Sequence, residues 1–155
     1  MSKLVSISII QDDFNLPTPE VLQEQNLAIY DLEQNNFFQL VGFESYDEIK
    51  LNISLSGNSL VFKISSKKDE VLKTFFFSLT PLTQIINDYY IICESYFNAV
   101  KNLPIDKIES IDMGRKGIHN EGARVIIERL ENRISTDMET SRRIFTLIYA
   151  LTYER

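Results

Sequence analysis

Ile49-Lys50-Leu51-Asn52-Ile53-Ser54-Leu55-Ser56-Gly57-Asn58-Ser59-Leu60-Val61-Phe62-Lys63-Ile64 decides the fold class. Apolar residues at 49, 51, 53 and 55 alternate with polar ones at 50, 52, 54 and 56, the two-residue period of a strand with one buried face. Gly57-Asn58 is a two-residue hairpin signal. Leu60, Phe62 and Ile64 then resume the alternation on a returning strand. The segment therefore reads as an antiparallel hairpin.

Working towards the N-terminus, Phe37 to Val41 reads as a short strand, and Leu4 to Ile10 alternates like a half-buried one. Between them, Thr18-Pro19-Glu20 supplies a capping hydroxyl, a proline at the first helical position and an acid in the first turn. That helix is expected to run to Gln34, with Leu22, Ile29 and Leu32 as its apolar stripe.

On the other side, Ser66 to Glu70 reads as a polar turn. Val71 to Leu79 reads as a strand in which Phe75-Phe76-Phe77 predicts burial on both faces. Thr80-Pro81 repeats the helix-start signal. Leu82, Ile85, Ile86, Tyr89, Cys93, Tyr96, Phe97 and Val100 recur at three and four residues, giving an amphipathic helix of about 20 residues. Pro104 opens a short helix with Ile105, Ile108 and Ile111 on one side. A further helix is expected from about Asn120 to Ile134, with Ile126, Ile127, Leu130 and Ile134 inward. Thr136-Asp137-Met138-Glu139 matches a capping box ahead of a last helix to about Tyr153, striped by Ile144, Phe145, Ile148 and Leu151.

The order β-α-β-β-β-β followed by three to four helices favours α+β. The expectation is one domain spanning 1–155, with a mainly antiparallel sheet of four to five strands packed by the helix from Leu82. At 155 residues and 44% apolar composition, the chain is suited to a single core. A net charge of −6 argues against nucleic acid and against anionic membrane surfaces as partners. The single cysteine, Cys93, rules out an intrachain disulfide. The N-terminus is not a secretory signal, and no apolar run approaches the roughly 18 residues of a membrane span. A soluble, cytoplasmic protein is expected.

Asp112-Met113-Gly114-Arg115-Lys116-Gly117-Ile118-His119-Asn120-Glu121-Gly122 is the richest chemistry in the chain. It holds three of the five glycines and the only histidine. It reads as a turn between helices, with Gly114 ending one, Gly117 allowing the bend and Asn120 capping the next. Free N–H groups at such a helix start, with Gly117, Arg115 and Lys116 beside them, have the physics of a phosphate or carboxylate site. The spacing is neither a Walker A sequence nor a dinucleotide fingerprint. The plainer reading is a turn with no ligand.

All seven arginines lie from Arg115 onward. Arginine's planar fork suits carboxylate and phosphate, although the plainer reading of the bias is exposed helix faces carrying ion pairs. Arg142 and Arg143 fall early in the last helix. Being adjacent, one is expected to meet the glycine-rich segment while the other is solvated.

Three functions compete. The first is a binding or regulatory protein holding a small anionic ligand through Arg115, Lys116, Gly117, Asn120, Arg142 and Arg143. The second is a small enzyme using His119 with Glu121 or Asp112 for proton transfer. The third is a homo-oligomer whose turn packs at a subunit interface. One histidine and one cysteine do not make an ordinary zinc site, and no cofactor is expected. Cys93, on an apolar helix face, reads as a core residue.

Four segments carry a family resemblance: Ser78-Leu79-Thr80-Pro81; Asp88-Tyr89-Tyr90-Ile91-Ile92-Cys93-Glu94-Ser95-Tyr96; Ile111-Asp112-Met113-Gly114-Arg115 with His119-Asn120-Glu121-Gly122; and Arg142-Arg143-Ile144-Phe145-Thr146-Leu147-Ile148. With them the chain resembles a family of small uncharacterised bacterial proteins, from Thr18-Pro19 to the last helix. The resemblance implies a complete protein and no particular mechanism. Two positions depart from the family pattern. Lys116 stands where a second arginine is frequent, and Leu151-Thr152-Tyr153 lacks a histidine carried by many members, which puts a shared two-histidine site in doubt.

Overall fold

Over residues 3–10 and 17–153, the computed structural model runs β1 (Lys3–Ile9), α1 (Pro19–Gln34), β2 (Phe38–Leu40), β3 (Glu48–Ser56), β4 (Ser59–Ser66), β5 (Val71–Ser78), α2 (Thr80–Asn102), α3 (Ile105–Leu130), β6 (Ile134–Thr136) and α4 (Met138–Thr152). The fold is α+β, strands first and helices after. Gly57, at φ 61°, turns β3 into β4, and Ser56 pairs with Ser59. The period-two residues behave as their spacing requires: Ile49, Leu51 and Ile53 are buried, with Leu51 opposite Ile64 and Ile53 opposite Phe62. Each such side chain contributes about 1.5–3 kcal/mol by leaving water.

The main sheet has the order β1-β3-β4-β5. β3, β4 and β5 are antiparallel, while β1 lies parallel to β3, with Leu4 beside Ile49 and Ile7 beside Leu51. A parallel pair needs a crossover connection, and α1 lies within it. Thr18 caps α1 by accepting the Val21 N–H. Its inward stripe is Val21, Ala28 and Leu32, whereas Leu22 is 36% exposed. β5 is an edge strand with one buried face, so Phe77 is buried and Phe76 is 65% exposed. The run of three phenylalanines is therefore not buried on both sides.

β2 does not join the main sheet. It pairs antiparallel with β6, Phe38 opposite Thr136 and Leu40 opposite Ile134. Asn132, at φ 72°, turns the chain out of α3 and frees Ile134 from the helix expected to include it. Thr136 donates to the Phe37 carbonyl at 2.7 Å, and the Phe37 N–H donates to Thr140 Oγ1 at 2.9 Å. The cap of α4 is consequently Asp137, which accepts the Thr140 N–H at 2.8 Å, and not the hydroxyl of Thr136. At α2 the cap position is Leu79, without a side-chain bond, so Thr80 starts the helix without capping it.

The largest departure lies at residues 112–122, which form no turn. α3 runs unbroken for 26 residues through Gly114, Gly117 and Gly122, none of which takes positive φ. Two of these glycines permit close approach between helices. A Cβ on Gly122 would overlap the Phe145 ring of α4, and one on Gly114 would stand 2.8 Å from Ile92 Cδ1 of α2. Gly117 is exposed and meets nothing. The helices pack in the order α2-α3-α4-α1. Ile126 and Leu130 of α3 and Ile148 of α4 close on Leu60, Phe62 and Phe77 of the sheet.

Candidate functional site

Because α4 lies between α3 and α1, its neighbouring arginines serve both sides. Successive residues on a helix point about 100° apart. Arg142 turns towards α3, where its Nε donates to Asn120 Oδ1 at 2.6 Å. Arg143 turns towards α1, with its Nε 3.7 Å from Asp31 Oδ2. Glu139, one turn earlier, holds both: it pairs with Arg142 Nη1 and stands 3.5 Å from Arg143 Nη1. Neither arginine is the idle, solvated one that adjacency suggested.

These residues border a groove of about 460 Å³. α3 contributes Arg115, Lys116, His119 and Asn120, and α4 contributes Arg142, Arg143 and Thr146. α1 supplies Glu24, Leu27, Ala28 and Asp31, while Tyr89 of α2 completes the lining. The α3–α4 side is fixed by Ser141 Oγ, which donates to the Ala123 carbonyl at 2.7 Å, and by the contact of Gly122 with Phe145.

Arg115 lies over the Tyr96 ring, 4.0 Å from its centroid, a favourable cation–π placement. Its Nε and Nη2 donate to Asp112 Oδ1 at 3.2 and 2.8 Å, and its Nη1 is 3.7 Å from Glu24 Oε1. Lys116 Nζ stands 3.0 Å from Asp112 Oδ2. The hydrogen bond from Lys116, joined by Arg115, holds the Asp112 carboxyl below its ordinary range. Burial does the reverse to Glu24, raising its pKa although Arg115 opposes the shift.

His119 Nε2 lies 2.9 Å from Thr146 Oγ1, and that hydroxyl donates to the Arg142 carbonyl at 3.3 Å. Which of the two donates in the His119–Thr146 bond depends on the imidazole tautomer. The ring packs edge-on against Phe145, with centroids 5.3 Å apart, and beside Tyr89 at 5.5 Å. Burial, then Arg142 and Arg115, push its pKa down to about 4. His119 is therefore neutral near neutral pH.

Of the residues singled out from sequence, Arg115, Lys116, His119, Asn120, Arg142 and Arg143 share the groove. Gly117 and Glu121 are exposed and outside it, and Asp112 is outside it, held by Arg115 and Lys116. The structure thus brings neither Glu121 nor Asp112 to His119. Sequence reasoning missed Glu24, Asp31, Tyr89 and Thr146. The i, i+7 spacing of Glu24 and Asp31 puts both on one face of α1, a signal without meaning until α1 is known to lie against α4. Cys93 is buried in the core, and burial pushes its thiol up to about 11, so it is not an activated nucleophile. Among the described residues, no three histidine, cysteine, aspartate or glutamate side chains are placed to hold a metal ion, and no helix is long and apolar enough to cross a membrane.

A family model described as "Uncharacterised protein family (UPF0262)" matches residues 1–154. The chain belongs to this family. A UPF0262 protein of Dinoroseobacter shibae is 45% identical over 157 residues, covering 99% of each chain. One from Ruegeria pomeroyi is 46% identical, covering 99% of this chain and 98% of its own. A Bradyrhizobium UPF0262 protein is 38% identical, covering 99% and 91%. No solved structure matches the chain. The UPF0262 names carry no activity.

Proposed function

We propose that this protein binds a small ligand through an anionic group seated in the groove between α1, α3 and α4. The observation that carries the reading is the convergence of Arg115, Lys116, Arg142 and Arg143 on one concavity in a chain of net charge −6. Arg142 is held ready by Asn120 and Glu139, which fix its Nε and Nη1. No described residue accepts a hydrogen bond from its Nη2. Preorganised guanidinium donors of this kind suit a carboxylate or phosphate oxygen. Tyr89, Leu27 and Ala28 give the same space apolar surface for the body of a small molecule.

The test is calorimetric titration of the full chain with inorganic phosphate and with short carboxylates at low ionic strength. Binding that is weakened at least about ten-fold by Arg142→Gln supports the reading. Absence of heat at millimolar concentrations of every anion would sink it.

A further inference from the structure

We infer that the groove's ligand is a zwitterion, its anionic group received by Arg142 and Arg143 and its ammonium group by Glu24. The inference rests on the anion-binding reading and names the class of molecule.

The first argument is charge balance. The four cations of the groove are matched in number by four carboxylates within ion-pair distance: Glu24, Asp31, Asp112 and Glu139. His119 adds no charge near neutral pH. A multiply charged anion would unbalance this set, whereas a ligand carrying one charge of each sign leaves it neutral.

The second is geometry. The arginines draw their close partners from their own helices, Asp112 on α3 and Glu139 on α4. The α1 carboxylates stand further off: Glu24 and Asp31 each lie 3.7 Å from the nearest guanidinium nitrogen, beyond hydrogen-bond length. Among the described residues, neither accepts a hydrogen bond. Both line the groove, each held only by a long ion pair. Glu24 is partly buried, and Arg115 does not offset the rise in pKa that this burial causes. An ammonium group placed beside it supplies the missing compensation.

The third is spacing. Glu24 faces Arg115, and Asp31 faces Arg143. Seven residues of helix separate the two acids by roughly 10 Å, with Leu27 and Ala28 between them. The two charges of the ligand are accordingly set apart by a short apolar stretch.

Calorimetry with ε-aminocaproate, hexanoate and hexylamine, at equal ionic strength and near neutral pH, tests this. The aminocarboxylate should bind at least about ten-fold more tightly than either monofunctional compound. Glu24→Gln should bring ε-aminocaproate down to the level of hexanoate without weakening hexanoate, while Arg142→Gln weakens both. Thermal melts establish that each variant is folded. If hexanoate binds as tightly as ε-aminocaproate and depends on Arg142, the zwitterion inference is overturned and the anion reading stands. If none of these compounds binds and inorganic phosphate does not either, both fall.

Discussion

His119 and Thr146 meet across the α3–α4 interface, Nε2 to Oγ1 at 2.9 Å, and the bond ties the imidazole to α4. With its folded pKa depressed to about 4, His119 stays neutral in the native state at pH values where an unfolded histidine takes up a proton. The group's contribution to stability is therefore present above the unfolded value of about 6.5 and is lost as pH falls from there towards about 4. Between about pH 7 and pH 5 the wild type should lose on the order of 1–2 kcal/mol more than His119→Gln. Urea unfolding at the two pH values measures the difference. An NMR titration of the imidazole near its ordinary midpoint would contradict it.

The three glycines of α3 should respond differently to alanine. Gly122→Ala places a methyl group into the Phe145 ring and should cost about 2 kcal/mol or more, because the α3–α4 contact must open. Gly117→Ala meets open space in a helix interior and should stabilise the fold by up to about 1 kcal/mol. Denaturant midpoints distinguish the two signs. Were the segment a turn that needs positive φ, both substitutions would destabilise.

Glu24→Gln should raise the melting temperature near neutral pH. Its folded-state pKa lies above the ordinary value of 4.5, so ionised Glu24 opposes folding at neutral pH. That cost disappears as pH falls below the unfolded value. Calorimetric scans of wild type and variant should therefore diverge at neutral pH and converge in acid. A variant that is less stable at neutral pH would show that Arg115 depends on Glu24 more than burial penalises it.

Cys93 should be silent towards thiol reagents in the native protein. It is buried, and its thiol is pushed up to about 11, so neither access nor thiolate is provided. Reaction with an aromatic disulfide should track global unfolding. A fast native-state reaction would place Cys93 in a more open environment.

What could be read from the sequence was local. The hairpin at Gly57 and the α1 start at Thr18-Pro19 follow from periodicity and turn chemistry over a few residues. The β2–β6 pair joins positions about a hundred residues apart, as the hydrogen bonds of Phe37 with Thr136 and Thr140 show, and three-residue strands carry almost no pattern of their own. The glycines of α3 were misread for a related reason. Gly114 resembles a helix end until Ile92 of α2 is seen lying against it. Arg115, Lys116, His119, Asn120, Arg142 and Arg143 were legible as chemistry-bearing residues. Their common groove depends on α4 lying between α3 and α1, and so do Glu24 and Asp31.

The missing side chain at Gly122 has a mechanical consequence. It lets the Phe145 ring sit within the surface of α3, while Ser141 is bonded to Ala123 just beyond it. Those two contacts make α3 and α4 a single plate. The basic walls of the groove cannot spread without opening that joint.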